Sequence, residues 1–147
     1  MFECLSVHLN VMTKFQEKLK LKMDEYVHFV YLVTKKFPRD ELYGVTSQIR
    51  RASLSVILNY LEGYARRRPA VQLNFFETSY GSLKESKYLL HFSMKEKYLS
   101  IEDYKHAIKL AEEIGAMLWS EIKSLDNKTQ KHPKTLTKKH SNTKTLK

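Results

Sequence analysis

Residues 101–125 read IEDYKHAIKLAEEIGAMLWSEIKSL, and they carry the most regular apolar pattern in the 147-residue chain. Apolar or small side chains recur there in alternating steps of three and four, which a helix turns onto one face because successive residues rotate by about 100°. These positions are Ile101, Tyr104, Ile108, Ala111, Gly115, Leu118, Ile122 and Leu125. Ser100 with Asp103 three residues later is a variant of the capping box, so we expect a long helix that starts after Ser100.

Three earlier segments have the same helical period, and each has a recognisable boundary. Pro38 ends the first because proline cannot continue a helix. Asp40 is expected to cap the second, and Pro69 suits the first turn of the third. The apolar stripes are Met23, Tyr26, Val30, Val33 and Phe37 in the first segment, Val45, Ile49, Ala52, Val56, Asn59 and Gly63 in the second, and Leu73, Phe76, Tyr80, Leu83, Lys87 and Leu90 in the third.

Four helices with short connections pack most simply as an antiparallel up-down-up-down four-helix bundle, so the predicted fold class is all-α. The chain has only 4 Gly and 3 Pro, which argues against a turn-rich β fold. We assign residues 21–126 to the bundle and residues 1–20 to an N-terminal extension that is partly helical or disordered. Residues 127–147 are expected to form a Lys-rich disordered tail, because they have almost nothing apolar to bury. Small residues on the second and third helices predict that these two form the tightest pair.

The formal net charge of +10 is unevenly distributed along the chain. Residues 127–147 contain seven lysines and no acid, so residues 1–126 keep a net charge of only +3. The predicted bundle is therefore not a strongly basic body. No apolar run reaches the length of about 18 residues that a membrane span needs, and no secretory leader is evident, so we expect a cytoplasmic protein.

Five of the six arginines lie in or just after the second predicted helix. The planar guanidinium suits both phosphates and carboxylates, and this leaves two alternatives open. One is contact with the phosphates of a nucleic acid; the other is pairing of Arg50 or Arg51 with an acid such as Glu62 or Glu85. The candidate nucleic-acid-binding residues are Arg50, Arg51, Arg66, Arg67 and Arg68, with Lys138 and Lys139 of the tail.

We expect no enzymatic activity and no cofactor. Glu25 with His28 and Asp103 with His106 have the spacing of di-metal ligands in helical bundles, but both pairs lie about 140–200° from the apolar stripes of their helices. The serines lack a nucleophile-elbow pattern, and no Gly-rich phosphate loop is present. We therefore predict no metal site.

Two features predict self-association. Asn59 lies in an apolar stripe with Glu62 beside it, and buried polar groups need partners, so we expect a network that fixes register or subunit contacts. Seven aromatic residues lie off or beside the stripes, more than one bundle can bury, which is typical of a protein interface. They are Tyr31, Tyr43, Tyr60, Tyr64, Phe75, Tyr88 and Phe92.

Residues 37–67, FPRDELYGVTSQIRRASLSVILNYLEGYARR, and residues 75–86, FFETSYGSLKES, closely resemble the family usually called four-helix bundle protein. Its members include proteins encoded within intervening sequences of bacterial large-subunit ribosomal RNA genes, and relatives serve as accessory variability determinants of diversity-generating retroelements. The matching residues include Gln48, Arg50, Arg51, Ser55, Asn59, Glu62, Gly63, Tyr64, Gly81, Ser82 and Glu85.

The resemblance implies an antiparallel bundle that assembles into a ring-like homopentamer without known enzymatic activity. In the retroelement relatives, a basic pentamer surface engages nucleic acid and a reverse transcriptase. On this basis the structural and oligomer-forming residues are expected to be Asn59, Glu62, Gly63, Tyr64, Gly81, Ser82 and Glu85. The first functional hypothesis is a non-enzymatic homo-oligomeric scaffold that binds RNA or DNA, as an accessory to a reverse transcriptase in the retroelement case. The alternative is a protein-interaction adaptor that does not touch nucleic acid.

Overall fold

The structure, a computed structural model, describes residues 11–131. It contains four α-helices, α1 (Lys14–Thr34), α2 (Val45–Tyr64), α3 (Pro69–Lys95) and α4 (Ile101–Gln130), with a short 3₁₀ turn at Arg39–Glu41. Each helix packs on the next one in the chain, and α1 also packs on α4, which closes the ring of four. No strand occurs among the described residues. The predicted all-α antiparallel four-helix bundle is confirmed.

The helix starts follow the local capping chemistry. The Ser100 side chain accepts a hydrogen bond from the Asp103 N–H, and Pro69 occupies the first turn of α3, so both predicted starts are confirmed. At α1, Thr13 and Gln16 form a reciprocal capping box, which begins the helix at Lys14.

Asp40 was predicted as the cap of α2, and this prediction is wrong. Asp40 lies inside the 3₁₀ turn, and Gly44 is the residue that precedes the helix. The neighbouring Glu41 supplies the cap instead, because its Oε2 accepts a hydrogen bond from the Val45 N–H at 3.0 Å.

The bundle is longer than the predicted range of residues 21–126. Helix α1 begins at Lys14, and α4 continues to Gln130, so the boundary at Asp126 is wrong by four residues. Asp126 itself prolongs the helix, since its backbone oxygen accepts from Thr129 Oγ1 and its carboxylate accepts from the Gln130 amide. The remainder of the predicted tail, with Lys138 and Lys139, and residues 1–10 lie outside the described residues.

Helices α2 and α3 form the most extensive helix contact, as predicted. Small side chains let their backbones approach: Ser79 Oγ donates to the Val56 carbonyl across the interface at 2.6 Å. At Gly63, an added Cβ would lie 2.8 Å from Phe75 Cβ and 2.9 Å from the Phe76 ring. A side chain at position 63 would therefore force the two helices apart.

We expect Gly63→Ala to lower the free energy of unfolding by about 1–3 kcal/mol, because the methyl group overpacks the α2–α3 contact. Gly115→Ala is the matched control. Its Cβ would lie 3.4 Å from the nearest atom, which is ordinary contact, so the gain in helix propensity of up to about 1 kcal/mol should prevail. Urea denaturation measures the stability of both variants. An unchanged or raised stability of Gly63→Ala would contradict the close approach of α2 and α3 at Gly63.

Two tyrosines lie fully inside the core. Tyr26 shares a hydrogen bond of 2.8 Å with Ser86 Oγ, and Tyr60 stacks on Phe76 with ring centroids 4.9 Å apart. Tyr60 was expected among the surface aromatics, and that expectation is wrong because α2 turns this ring towards α3. Its hydroxyl has no hydrogen-bond partner among the described residues. Burial raises the pKa of Tyr26 to about 12 and also raises the pKa of Tyr60.

The stability of the fold should fall in strong alkali. Because the pKa of Tyr26 is about 12 in the folded chain and 10.0 as a free side chain, its contribution is complete below pH 10 and is lost as the pH rises to about 12. Each such tyrosine lowers the free energy of unfolding by at most about 1.4 kcal/mol per pH unit in that window. Urea titrations from pH 9 to 12 should show a shallower decline for Tyr26→Phe than for the wild type. Identical declines would contradict this assignment.

Candidate oligomer and nucleic-acid interfaces

A groove with a volume of about 550 Å³ lies on the outer side of the α2–α3 pair. We call it the α2–α3 groove, and its lining combines two exposed leucines with polar side chains. Leu54 and Leu58 are 37% and 54% exposed and lie one turn apart on the face of α2 opposite the core. The full lining is Gln48, Arg51, Ala52, Leu54, Ser55, Leu58, Ser82 and Glu85. An apolar ridge flanked by charges has the composition of a protein contact.

Gly81 lies on the exposed face of α3 beside this groove. A Cβ added there would meet no heavy atom within 4 Å, so nothing in the described fold requires glycine at this position. Glycine in a helix interior costs about 1 kcal/mol relative to alanine. Close approach by another molecule at this position would account for a glycine here. The exposed residues that follow within two turns on this side of α3 are Lys84, Glu85 and Tyr88.

The predicted polar network of Asn59 is present at the edge of the groove. Asn59 Nδ2 donates to the carbonyl oxygen and to the Oγ of Ser55, both at 2.8 Å. Ser55 Oγ in turn lies 2.9 Å from Ser82 Oγ, so the network joins α2 to α3. Glu62 does not belong to it and pairs with Arg66 one turn later.

The arginines do not form one cluster. Arg50 joins α2 to α1: its Nε donates to Thr34 Oγ1 at 2.8 Å, and its guanidinium carbon lies 5.0 Å from the centroid of the Tyr31 ring. Arg51 is exposed and lines the α2–α3 groove, where Glu85 also lies. Arg50 lies 14 residues before Tyr64, the end of α2, which is a helical rise of about 21 Å, and Arg66 follows beyond that end. The sequence suggested Glu62 or Glu85 as the acidic partner of Arg50 or Arg51. Glu62 forms its ion pair with Arg66 instead.

The connection between α2 and α3 holds the other three arginines. Arg66 forms an ion pair with Glu62 and lies 5.3 Å from the centroid of the Phe75 ring. Arg67 and Arg68 are exposed, and neither side chain makes a hydrogen bond or ion pair with any residue between positions 11 and 131. Two guanidinium groups are therefore available to an external anion.

The same end of the bundle gathers further cations. A cavity of about 580 Å³ lies there between the start of α1 and the end of α4, and Tyr64 of α2 and Gln72 of α3 also line it. The last turn of α4 carries Lys128, which lines this cavity, and Lys131 follows directly. We call this end, with Arg66, Arg67, Arg68, Lys128 and Lys131, the basic pole. Burial raises the pKa of the Tyr64 hydroxyl, and the carboxylates of Glu121 and Glu17 raise it further.

The histidines with the spacing of di-metal ligands make other contacts. His28 pairs with Asp24 at 3.5 Å on the exposed face of α1, and the His106 ring packs against Phe29 with centroids 4.6 Å apart. Between residues 11 and 131, no group of three or more His, Cys, Asp or Glu side chains is close enough to hold a metal ion. None of the described helices has the length and hydropathy needed to cross a membrane.

A comparison of the sequence with known protein families gives one continuous match, which contains the groove and the polar network and part of the basic pole. The family model described as 23S rRNA-intervening sequence protein matches residues 17–120. The chain belongs to this family. The match covers most of α1, all of α2 and α3 and two thirds of α4. The α2–α3 groove and Arg66 to Arg68 therefore lie inside the matched region. Lys128 and Lys131 lie beyond it.

A solved structure supports the fold of this chain. It is a crystal structure of a protein of unknown function from the S23 ribosomal protein family of Bacteroides thetaiotaomicron. The two chains share 23% sequence identity with a TM-score of 0.67, over 71% of this chain and 98% of the other. At that identity the likeness establishes the bundle alone. A comparison with curated proteins gives no match.

Proposed function

We propose that this protein is a non-enzymatic, cytoplasmic, homo-oligomeric scaffold that binds RNA. The observation that carries the self-association is Gly81, a helix-interior glycine for which the described fold gives no packing reason. The exposed Leu54 and Leu58 lie across the adjoining groove, and a contact between copies would cover them. The Asn59 network then fixes the relative position of α2 and α3 that forms the contact surface.

RNA is proposed as the ligand of the basic pole. Arg67 and Arg68 are exposed, their side chains have no partner among residues 11–131, and Lys128 and Lys131 lie at the same end of the bundle. Contacts of this kind go to phosphates, so binding should depend strongly on salt and weakly on sequence. The family name refers to intervening sequences of 23S rRNA and states no ligand, so the choice of RNA over DNA is part of the proposal.

We further propose five copies in a ring, the number that the resemblance implies. A ring of five requires the α2–α3 groove to contact a different surface of the neighbouring copy, because a patch that contacts its own counterpart gives a two-fold dimer. Contacts between two unlike surfaces generate closed rings when the rotation between subunits divides the circle. A reverse transcriptase is the proposed protein partner if the gene accompanies a retroelement.

An adaptor that does not bind nucleic acid is the second candidate, and one observation favours it. Arg50 and Arg66 are engaged inside the subunit, with Thr34 and Glu62 respectively, so two of the five arginines already have structural roles. On this alternative, the exposed arginines of the connection serve solubility or a protein partner.

Native mass spectrometry of the full chain tests both parts of the proposal. The expected result is an oligomer in the absence of RNA and the same oligomer with bound RNA when a single-stranded 30-nucleotide probe is added. A monomer at micromolar concentration would overturn the scaffold. An oligomer that binds no RNA at low salt would favour the adaptor.

A further inference from the structure

A second groove, between α3 and α4, brings together an aromatic pair and two lysines that the proposed scaffold does not use. Its volume is about 220 Å³, and it lies between Tyr80 and Lys84 of α3 and Gly115 and Trp119 of α4. The Trp119 and Tyr80 ring centroids are 5.3 Å apart with an angle of 40° between the planes. Trp119 is nevertheless 44% exposed, so a large part of the indole remains open to a ligand.

Gly115 keeps this groove open. An added Cβ would lie 3.4 Å from Leu83 Cδ2 and 4.0 Å from Tyr80 Cε2, both ordinary contact distances. Alanine would therefore fit and would favour the helix more than glycine does. The absence of a side chain leaves space beside the two rings.

The groove is also positively charged. Lys84 Nζ lies 5.1 Å from the centroid of the Tyr80 ring, and Lys87 forms an ion pair with Glu112. The hydrogen bond from Lys87 holds the pKa of Glu112 below its usual range, and the charge of Lys84 lowers it further. Two cations thus face one carboxylate among the lining residues. An aromatic surface beside a surplus cation complements a planar ring attached to a phosphate.

We propose that the α3–α4 groove binds an unpaired base of single-stranded RNA, stacked on Trp119, with Lys84 contacting the adjoining phosphate. Aromatic side chains beside basic residues are the general means of holding single strands. The volume is smaller than the range of about 300–1,000 Å³ typical of drug-sized ligands, which suits one heterocycle. The inference rests on RNA binding as proposed above and adds that the protein recognises unpaired bases as well as phosphates.

Trp119 is the only tryptophan in the chain, so its fluorescence reports on this groove directly. The experiment titrates the full-length protein with a labelled 12-nucleotide oligouridylate, an abasic strand of the same length and an RNA duplex, and follows probe anisotropy and tryptophan emission together. We expect the oligouridylate to quench the emission along the same curve as the anisotropy. The abasic strand and the duplex should bind through their phosphates and leave the emission unchanged.

Variants of the same position separate stacking from folding. Trp119→Leu should lower the affinity for oligouridylate about tenfold and leave the affinity for the abasic strand unchanged, whereas Trp119→Phe should keep most of it. Tyr43→Ala removes an aromatic side chain that is 94% exposed and should change neither affinity. Circular dichroism checks that each variant is helical.

The outcomes distinguish this inference from the function on which it rests. Binding by anisotropy with unchanged emission of Trp119 would overturn the base site and leave RNA binding intact. No binding of any probe would overturn both. A change in the native mass of Trp119→Leu without RNA would assign the groove to a contact between copies and would also overturn the base site.

Discussion

Replacement of Gly81 by glutamine is expected to convert the oligomer into a stable monomer. The added side chain meets nothing within the subunit, so the fold tolerates it, but it occupies the space that we propose a second copy enters. Because glutamine is a better helix former than glycine, the free energy of unfolding of the variant should exceed that of the wild-type chain by about 0.5–1 kcal/mol when both are measured at a concentration low enough to dissociate the wild-type oligomer. The mass of the particle should fall while the stability of the chain rises, and a general loss of folding cannot produce both results.

Sedimentation velocity and urea denaturation measure these effects. Lys105→Gln, an exposed change on α4, is the matched control and should alter neither the mass nor the stability. Gly81→Ala should show a smaller shift towards monomer. An unchanged oligomer for Gly81→Gln would remove the α2–α3 groove from the self-association surface.

The double substitution Arg67→Gln with Arg68→Gln is expected to weaken RNA binding by about 25-fold at 0.1 M salt. Each phosphate contact to single-stranded nucleic acid contributes about 0.7 to the slope of log affinity against log salt, so two lost contacts reduce the slope by about 1.4. The affinities of variant and wild type should therefore converge near 1 M salt. Neither arginine has an internal partner in residues 11–131, so the stability of the bundle should be unaffected.

Lys35→Gln with Lys36→Gln removes the same charge at the opposite end of α1, away from the basic pole. Filter binding across a salt series should give this control a slope close to that of the wild type. If both double variants lower the slope equally, RNA responds to the overall net charge and the basic pole has no special role.

The helical architecture was predictable because apolar period and capping chemistry are local properties. The stripe of α1, the Ser100 cap and Pro69 at the start of α3 all follow from residues within a few positions of one another. The predicted α4 stripe is right only in its second half, because Ile101 is exposed and the first turns bury Ala107, Leu110 and Ile114 instead. Asp40 failed as a cap because the 3₁₀ turn moved the start of α2 to Val45, where the carboxylate of Glu41 was already in reach.

The interfaces were harder to predict because they depend on pairs of helices. The burial of Tyr60 follows from the position of Phe76 on α3, and the partner of Arg50 is Thr34 on α1. The spacing of four between Glu62 and Arg66 could have indicated their ion pair. The sequence did not indicate the groove at Trp119, because its partner Tyr80 lies 39 positions earlier in the chain.

An even number of helices returns the chain to the end from which it started. Lys14, where α1 begins, and Gln130, where α4 ends, therefore lie at the same end as Arg67 and Arg68. In a ring of copies, every subunit would turn this end the same way and present its cations on a single side. Avidity then favours one long polyanion that reaches several subunits over many short ones, since each further attachment is intramolecular.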